Sequence, residues 1–134
     1  MLFRSAYGTY FFSTQPFGKI TLPLNHASTS HIVELEGFTK NIPIDSKLWI
    51  VVDVPSLDLC WPKRSIHKLN DKYKTTIRES GPNKEFIVSL YAVPAIIDDE
   101  IRDWFKLEVG SGNHAGFPMI PPDYRLDSIT LNLK

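Results

Sequence analysis

The sequence predicts an all-β protein, an antiparallel β-sandwich with one short amphipathic helix near residues 96–106. Three observations lead there. Ten prolines and seven glycines cut 134 residues into short pieces. Most of those pieces alternate apolar and polar side chains, the period-two pattern of a strand with one face inward. Only one stretch repeats its apolar residues at helical spacing. Short strands divided by turn chemistry, with a single helix, are the pattern of packed antiparallel sheets.

In chain order, residues 2–12 hold Phe3, Tyr7, Tyr10, Phe11 and Phe12 and read as a strand or a bent pair. Gln15-Pro16-Phe17-Gly18 is turn chemistry, because proline presets φ and glycine accepts a positive one. Residues 19–24 form a short strand ending in Pro23. In 31–38, His31, Val33 and Leu35 share one face, and Ile32, Glu34 and Glu36 the other, so the strand is half-buried. Residues 41–47 are a turn region. Residues 48–54 run apolar on both faces for five positions, the mark of an interior strand covered on both sides.

Residues 55–63, with Pro55, Asp58 and Pro62 around Cys60-Trp61, read as an irregular strand or loop. Residues 73–77 alternate weakly, 79–83 are a turn, and 85–93 form a second clear strand. Its faces are Phe86, Val88, Leu90, Ala92 and Ile87, Ser89, Tyr91, Val93. After Pro94, Ile97, Ile101, Trp104 and Phe105 fall at i, i+4, i+7 and i+8, one stripe of a helix. Residues 110–122 read as a long glycine/proline loop, and 125–134 as a last strand with Ile129, Leu131 and Leu133 inward.

At 15.3 kDa the chain is expected to be one domain, 1–134, with 17–134 the sandwich and 1–16 an added N-terminal strand. Hydrophobic residues at 43% and charged residues at 22% exclude a wholly disordered or collagen-like chain. Fifteen cations against fifteen anions give no general attraction to nucleic acid or an anionic membrane. The apolar runs, such as 48–52, are too short for a spanning helix. Cys60 stands alone and cannot close an intrachain disulfide; with no signal peptide in the opening residues, it favours a reducing, cytoplasmic compartment.

Several motifs, taken in order, resemble a known module. They are Ile-Thr-Leu-Pro (20–23), Val-Glu-Leu-Glu-Gly (33–37), Leu-Trp-Ile-Val-Val (48–52), Trp-Pro (61–62), Gly-Pro-Asn-Lys-Glu-Phe-Ile-Val (81–88) and Gly-Phe-Pro-Met-Ile-Pro-Pro (116–122), followed by a final strand. Over about residues 18–134 the chain resembles a bacterial immunoglobulin-like domain of the kind found at the ends of longer proteins. The resemblance implies an immunoglobulin-like sandwich and an accessory role in a larger bacterial system, and brings no catalytic residues. The aromatic N-terminal stretch departs from the pattern.

Candidate chemical sites each have a plainer explanation. His26, His31, His67 and His114 lack the close pairing of zinc ligands, so no metal or cofactor is expected. Asp98, Asp99 and Glu100 diverge by about 100° per residue on a helix, and the helix dipole accounts for acids in a first turn. Ser111, His114 and Asp123 lack a nucleophile elbow, Cys60 with His67 is unsupported as a dyad, and Gly110-x-Gly112 is no phosphate loop. A small hydrolase is therefore the last of the readings.

The leading expectation is a non-enzymatic module that binds another protein or a second copy. Its contacts are expected from Phe3, Tyr7, Phe11 and Phe12, which augment a sheet, and from Phe117 in the long loop. The alternative is a carbohydrate-, envelope- or anion-binding module with Trp61 as stacking platform beside Lys63, Arg64 and Tyr73. Those residues lie in the one basic cluster, which also holds Lys68, Lys72 and Lys74, and for which solvated strand-edge lysines are the favoured explanation.

Overall fold

Two strands, Lys47–Val54 (β6) and Glu85–Val93 (β9), are buried almost end to end, and the rest of the molecule is arranged to cover their two faces. A computed structural model describes residues 3–4, 10–11, 15–108 and 115–134. It is mostly β, built of antiparallel sheets with one α-helix.

The short strands Phe3–Arg4 (β1) and Tyr10–Phe11 (β2) pair with each other. A three-stranded sheet has Phe17–Leu22 (β3) and Lys72–Arg78 (β8) on either side of Ile32–Lys40 (β5). The larger sheet has six strands in the order β10-β7-β6-β9-β11-β4. Its remaining members are Ser28–Thr29 (β4), Leu59–Ile66 (β7), Phe117–Pro118 (β10) and Arg125–Leu133 (β11). The short β4–β11 pair is parallel; the other pairings are antiparallel.

Alternation decides which side chain meets which layer. Even-numbered residues of β6 and β9, among them Leu48, Ile50, Val52, Val88 and Leu90, face the small sheet. There they form one core with Ile20, Val33, Leu35, Tyr73, Ile77, Ile129 and Leu131. Odd-numbered residues Trp49, Val51, Tyr91 and Val93 face the other way. They pack under the helix Ala95–Glu108 (α1) and the segment after residue 115, with Ile101, Phe117 and Ile120.

The helix is pinned as well as packed. Trp49 Nε1–H donates to Asp98 Oδ1 at 2.8 Å, and Arg102 Nε–H donates to Asp98 Oδ2 at 3.0 Å. The Arg102 guanidinium lies 5.5 Å from the Trp49 ring centroid, and Phe105 stacks on that ring at 5.8 Å. The edges of the small sheet are tied to the large one by side chains. Asp127 Oδ2 accepts from Ile20 N–H of β3 at 2.8 Å, and Arg64 Nη2 donates to Thr76 O of β8 at 3.2 Å.

Three expectations change in detail. The helix runs Ala95–Glu108, slightly longer than 96–106. Residues 59–66 form a regular strand despite Pro62. The proline lies beside the β6–β7 register shift between Ile50 and Val51 and beyond the two residues that pair with β10, the bulge and edge setting in which strands accept proline. The stretch read as a loop at 110–122 contains β10, which pairs Phe117 with Cys60.

Gly37 marks a close approach. A Cβ there would collide with Lys19 O and the Tyr73 hydroxyl, because the Tyr73 ring crosses the glycine and its hydroxyl donates to Lys19 O at 3.2 Å. Gly37→Ala is expected to lower unfolding free energy by about 1–3 kcal/mol in urea melts. Gly81→Ala, whose new methyl meets nothing nearer than 3.5 Å, is expected to stay within about 0.5 kcal/mol. Asp98→Ala strands the buried Trp49 N–H and is expected to cost about 1–3 kcal/mol in the same melts. Its exposed neighbour in Asp99→Ala is expected to cost under about 0.5 kcal/mol.

Candidate functional site

Most polar groups inside the molecule are engaged with one another. Asp53, at the end of β6, is buried on the helix-bearing face. Ser89 Oγ donates to its Oδ2 at 2.6 Å and the Tyr91 hydroxyl donates to the same oxygen at 2.8 Å. Asp53 Oδ1 meets no donor among the described residues. Burial, then the Asp53 charge and hydrogen bond, raise the Tyr91 hydroxyl well above the ordinary phenol range.

Cys60 lies directly across from Asp53 in the β6–β7 register. Its Sγ points at Pro118 O, 3.6 Å away. Burial pushes the thiol up to about 12, the Asp53 charge adds to this, and a backbone hydrogen bond from Ile120 opposes it. A thiol held protonated is a poor nucleophile. Ser89 and Tyr91 both spend their protons on the Asp53 carboxylate, so the cluster ties β9 to β6.

The residues singled out from sequence scatter. Tyr7 and Phe12 lie outside the described residues, as do Ser111 and His114. Phe3 and Phe11 are register partners in β1–β2. Phe117, expected to face a partner, is only 7% exposed and meets Trp104 edge-on at 6.1 Å; pairing of β10 with β7 turns its ring into the core. Tyr73, expected beside Trp61 as a platform, is likewise 7% exposed under Gly37, while Trp61 is half-buried on β7. Lys63 Nζ lies 3.5 Å from Glu79, and Arg64 caps the β8 carbonyl. The carbohydrate platform is thus not assembled from these four residues. His31 Nδ1 is 2.8 Å from Glu79 O, and His67 Nε2 is 3.5 Å from Ser65 Oγ.

A different surface emerges on the outer face of the small sheet. Register places Phe17 opposite Lys40, Lys19 opposite Phe38, and Leu22 opposite Glu36 across β3–β5. Across β5–β8 it places Phe38 opposite Lys72, Glu36 opposite Lys74, Glu34 opposite Thr76 and Ile32 opposite Arg78. Phe17, Leu22 and Ile32 are 46%, 47% and 50% exposed on this one face. Phe17 and Phe38 lie 5.9 Å apart, and Lys40 Nζ is 6.0 Å from the Phe38 centroid. A groove of about 510 Å³ opens beside them, lined in part by Thr21, Glu36, Phe38, Lys72 and Lys74.

Sequence reasoning named Lys72 and Lys74 only as members of a basic run and left Phe17, Phe38, Lys19 and Lys40 unassigned. Their signal was the shared parity of β3, β5 and β8, which becomes a surface only once the pairing register is known. No family model matches the chain, and no curated protein matches it.

The Cys60 environment gives an alkaline signature. The folded chain keeps a thiol proton that the unfolded chain, with a thiol near 9.0, has lost by about pH 10. This contribution is fully present below about pH 9 and falls away as pH rises toward 12. Urea melts at about pH 8 and pH 10 are expected to show a larger stability loss for the wild-type chain than for Cys60→Ala. At about pH 8 a thiol reagent is expected to label native Cys60 no faster than the chain opens.

Proposed function

We propose that the chain is a non-catalytic protein-binding or assembly module of the immunoglobulin-like sandwich type, accessory to a larger bacterial system. One observation carries the reading. Three large apolar side chains, Phe17, Leu22 and Ile32, stand exposed at intervals along the outer face of the small sheet, and Phe17 meets Phe38, which lines a groove there. The same alternation that fills the core leaves apolar side chains at these outward positions, where a strand facing water alone carries polar ones. The interior supports the same view. Ser89 and Tyr91 spend their protons on Asp53 Oδ2, and the one thiol is held protonated.

The test is affinity capture with the chain and with Phe17→Glu/Ile32→Glu, which places charge on the exposed face and leaves the core untouched. A partner, or a second copy of the chain, is expected to be retained by the wild type and lost from the variant at unchanged melting temperature. Identical capture by both, or turnover of an ester, glycoside or phosphoester panel that Asp53→Asn abolishes, overturns the proposal.

A further inference from the structure

The outer face of the small sheet is charged as unevenly as it is apolar. Its register positions carry five cations, Lys19, Lys40, Lys72, Lys74 and Arg78, against two carboxylates, Glu34 and Glu36. The whole chain has net charge zero, so this face holds a positive excess that the remainder offsets with a negative one. Lys19 and Lys72 stand on the two sides of Phe38 in one row across the sheet, and Lys40 reaches over its ring. Lys74 lies two residues from Lys72 on the same side of β8, which is 6–7 Å along a strand. An apolar floor is thereby bracketed by ammonium groups on both flanks.

Resting on the binding-module reading, we infer that this face takes an extended acidic segment of a partner protein, in which an apolar side chain seated on Phe17 and Phe38 is flanked by carboxylates that meet Lys19 and Lys72. The dimensions agree. Lys19 and Lys72 stem from strands two inter-strand spacings apart, about 10 Å. Side chains at i, i+2 and i+4 of an extended segment point the same way and span about 13 Å. Flexible lysine stems close the difference. A long nucleic acid fits less well, because Glu36 lines the groove and Glu34 continues the acidic line along β5, directly in the path of a continuous phosphate chain. Charge complementarity of this kind acts chiefly on encounter rate and specificity and weakens with salt.

The experiment uses the full chain and a fluorescein-labelled peptide of repeating Glu-Ser-Leu-Ser, read by fluorescence anisotropy. Saturable binding is expected, weakening as salt is raised. Lys72→Glu/Lys74→Glu is expected to lose at least about tenfold in affinity, with Lys72→Gln/Lys74→Gln intermediate and Lys106→Glu on the far helix unchanged. Parallel titrations use an oligothymidylate and phosphatidylserine vesicles. The inference is overturned by absence of peptide binding, by equal loss in the Lys106 variant, or by an oligonucleotide or vesicle that binds more tightly than the peptide and depends on the same lysines. If the peptide fails while capture still depends on Phe17 and Ile32, the acidic partner is wrong and the binding module stands. If capture is also indifferent to them, both readings fall.

Discussion

Burial of β6 and β9 on both faces is the constraint from which the rest follows. A two-sided apolar strand needs two covers, and antiparallel sheets ordinarily supply one. Here the small sheet closes one side, and the helix with the residues around Phe117 and Ile120 closes the other. Two separate cores result, divided by the plane of the large sheet. Each strand residue belongs to one or the other by parity alone, and this makes the pairing register strict.

The second cover is the thinner one, and it is held by specific chemistry. A single helix buries one stripe, and Ile101 is the only fully buried residue of its Ile97–Ile101–Trp104–Phe105 series. The Trp49–Asp98–Arg102 group compensates. An indole N–H that would otherwise be orphaned finds a carboxylate, and that carboxylate finds a guanidinium which in turn covers the indole face. On the other side of the sheet, Asp127 and Arg64 fasten both margins of the small sheet, satisfying a backbone donor and a backbone acceptor there.

Local pattern made much of this fold legible. The segments 31–38, 85–93 and 125–134 were readable from their alternation, 48–54 from its unbroken apolar run, and the helix because its stripe is the only one of its period. The two-residue strands β4 and β10 carry no periodicity and exist only through their partners. Asp98 reads from its position as a first-turn acid; its bond to Trp49 spans 49 residues and no local signal announces it. Phe117 and Tyr73 read as surface aromatics because proline, glycine and lysine surround them in sequence, whereas pairing turns both inward. The basic run 63–74 divides between β7 of the large sheet and β8 of the small one. The aromatic–lysine surface was hidden for the converse reason, being assembled from three separated segments.

The row Lys19–Phe38–Lys72 has a consequence for how this protein can change over time. The proposed contact surface and the core draw on opposite parities of the same three strands, so substitutions at outward positions leave the interior intact. A one-residue insertion or deletion within β5 is another matter. It would trade Val33 and Leu35 for glutamates and lysine inside the molecule, erasing the surface and the fold in one event. Variation on this face is therefore expected to proceed by point replacement, with length changes confined to the connections between strands.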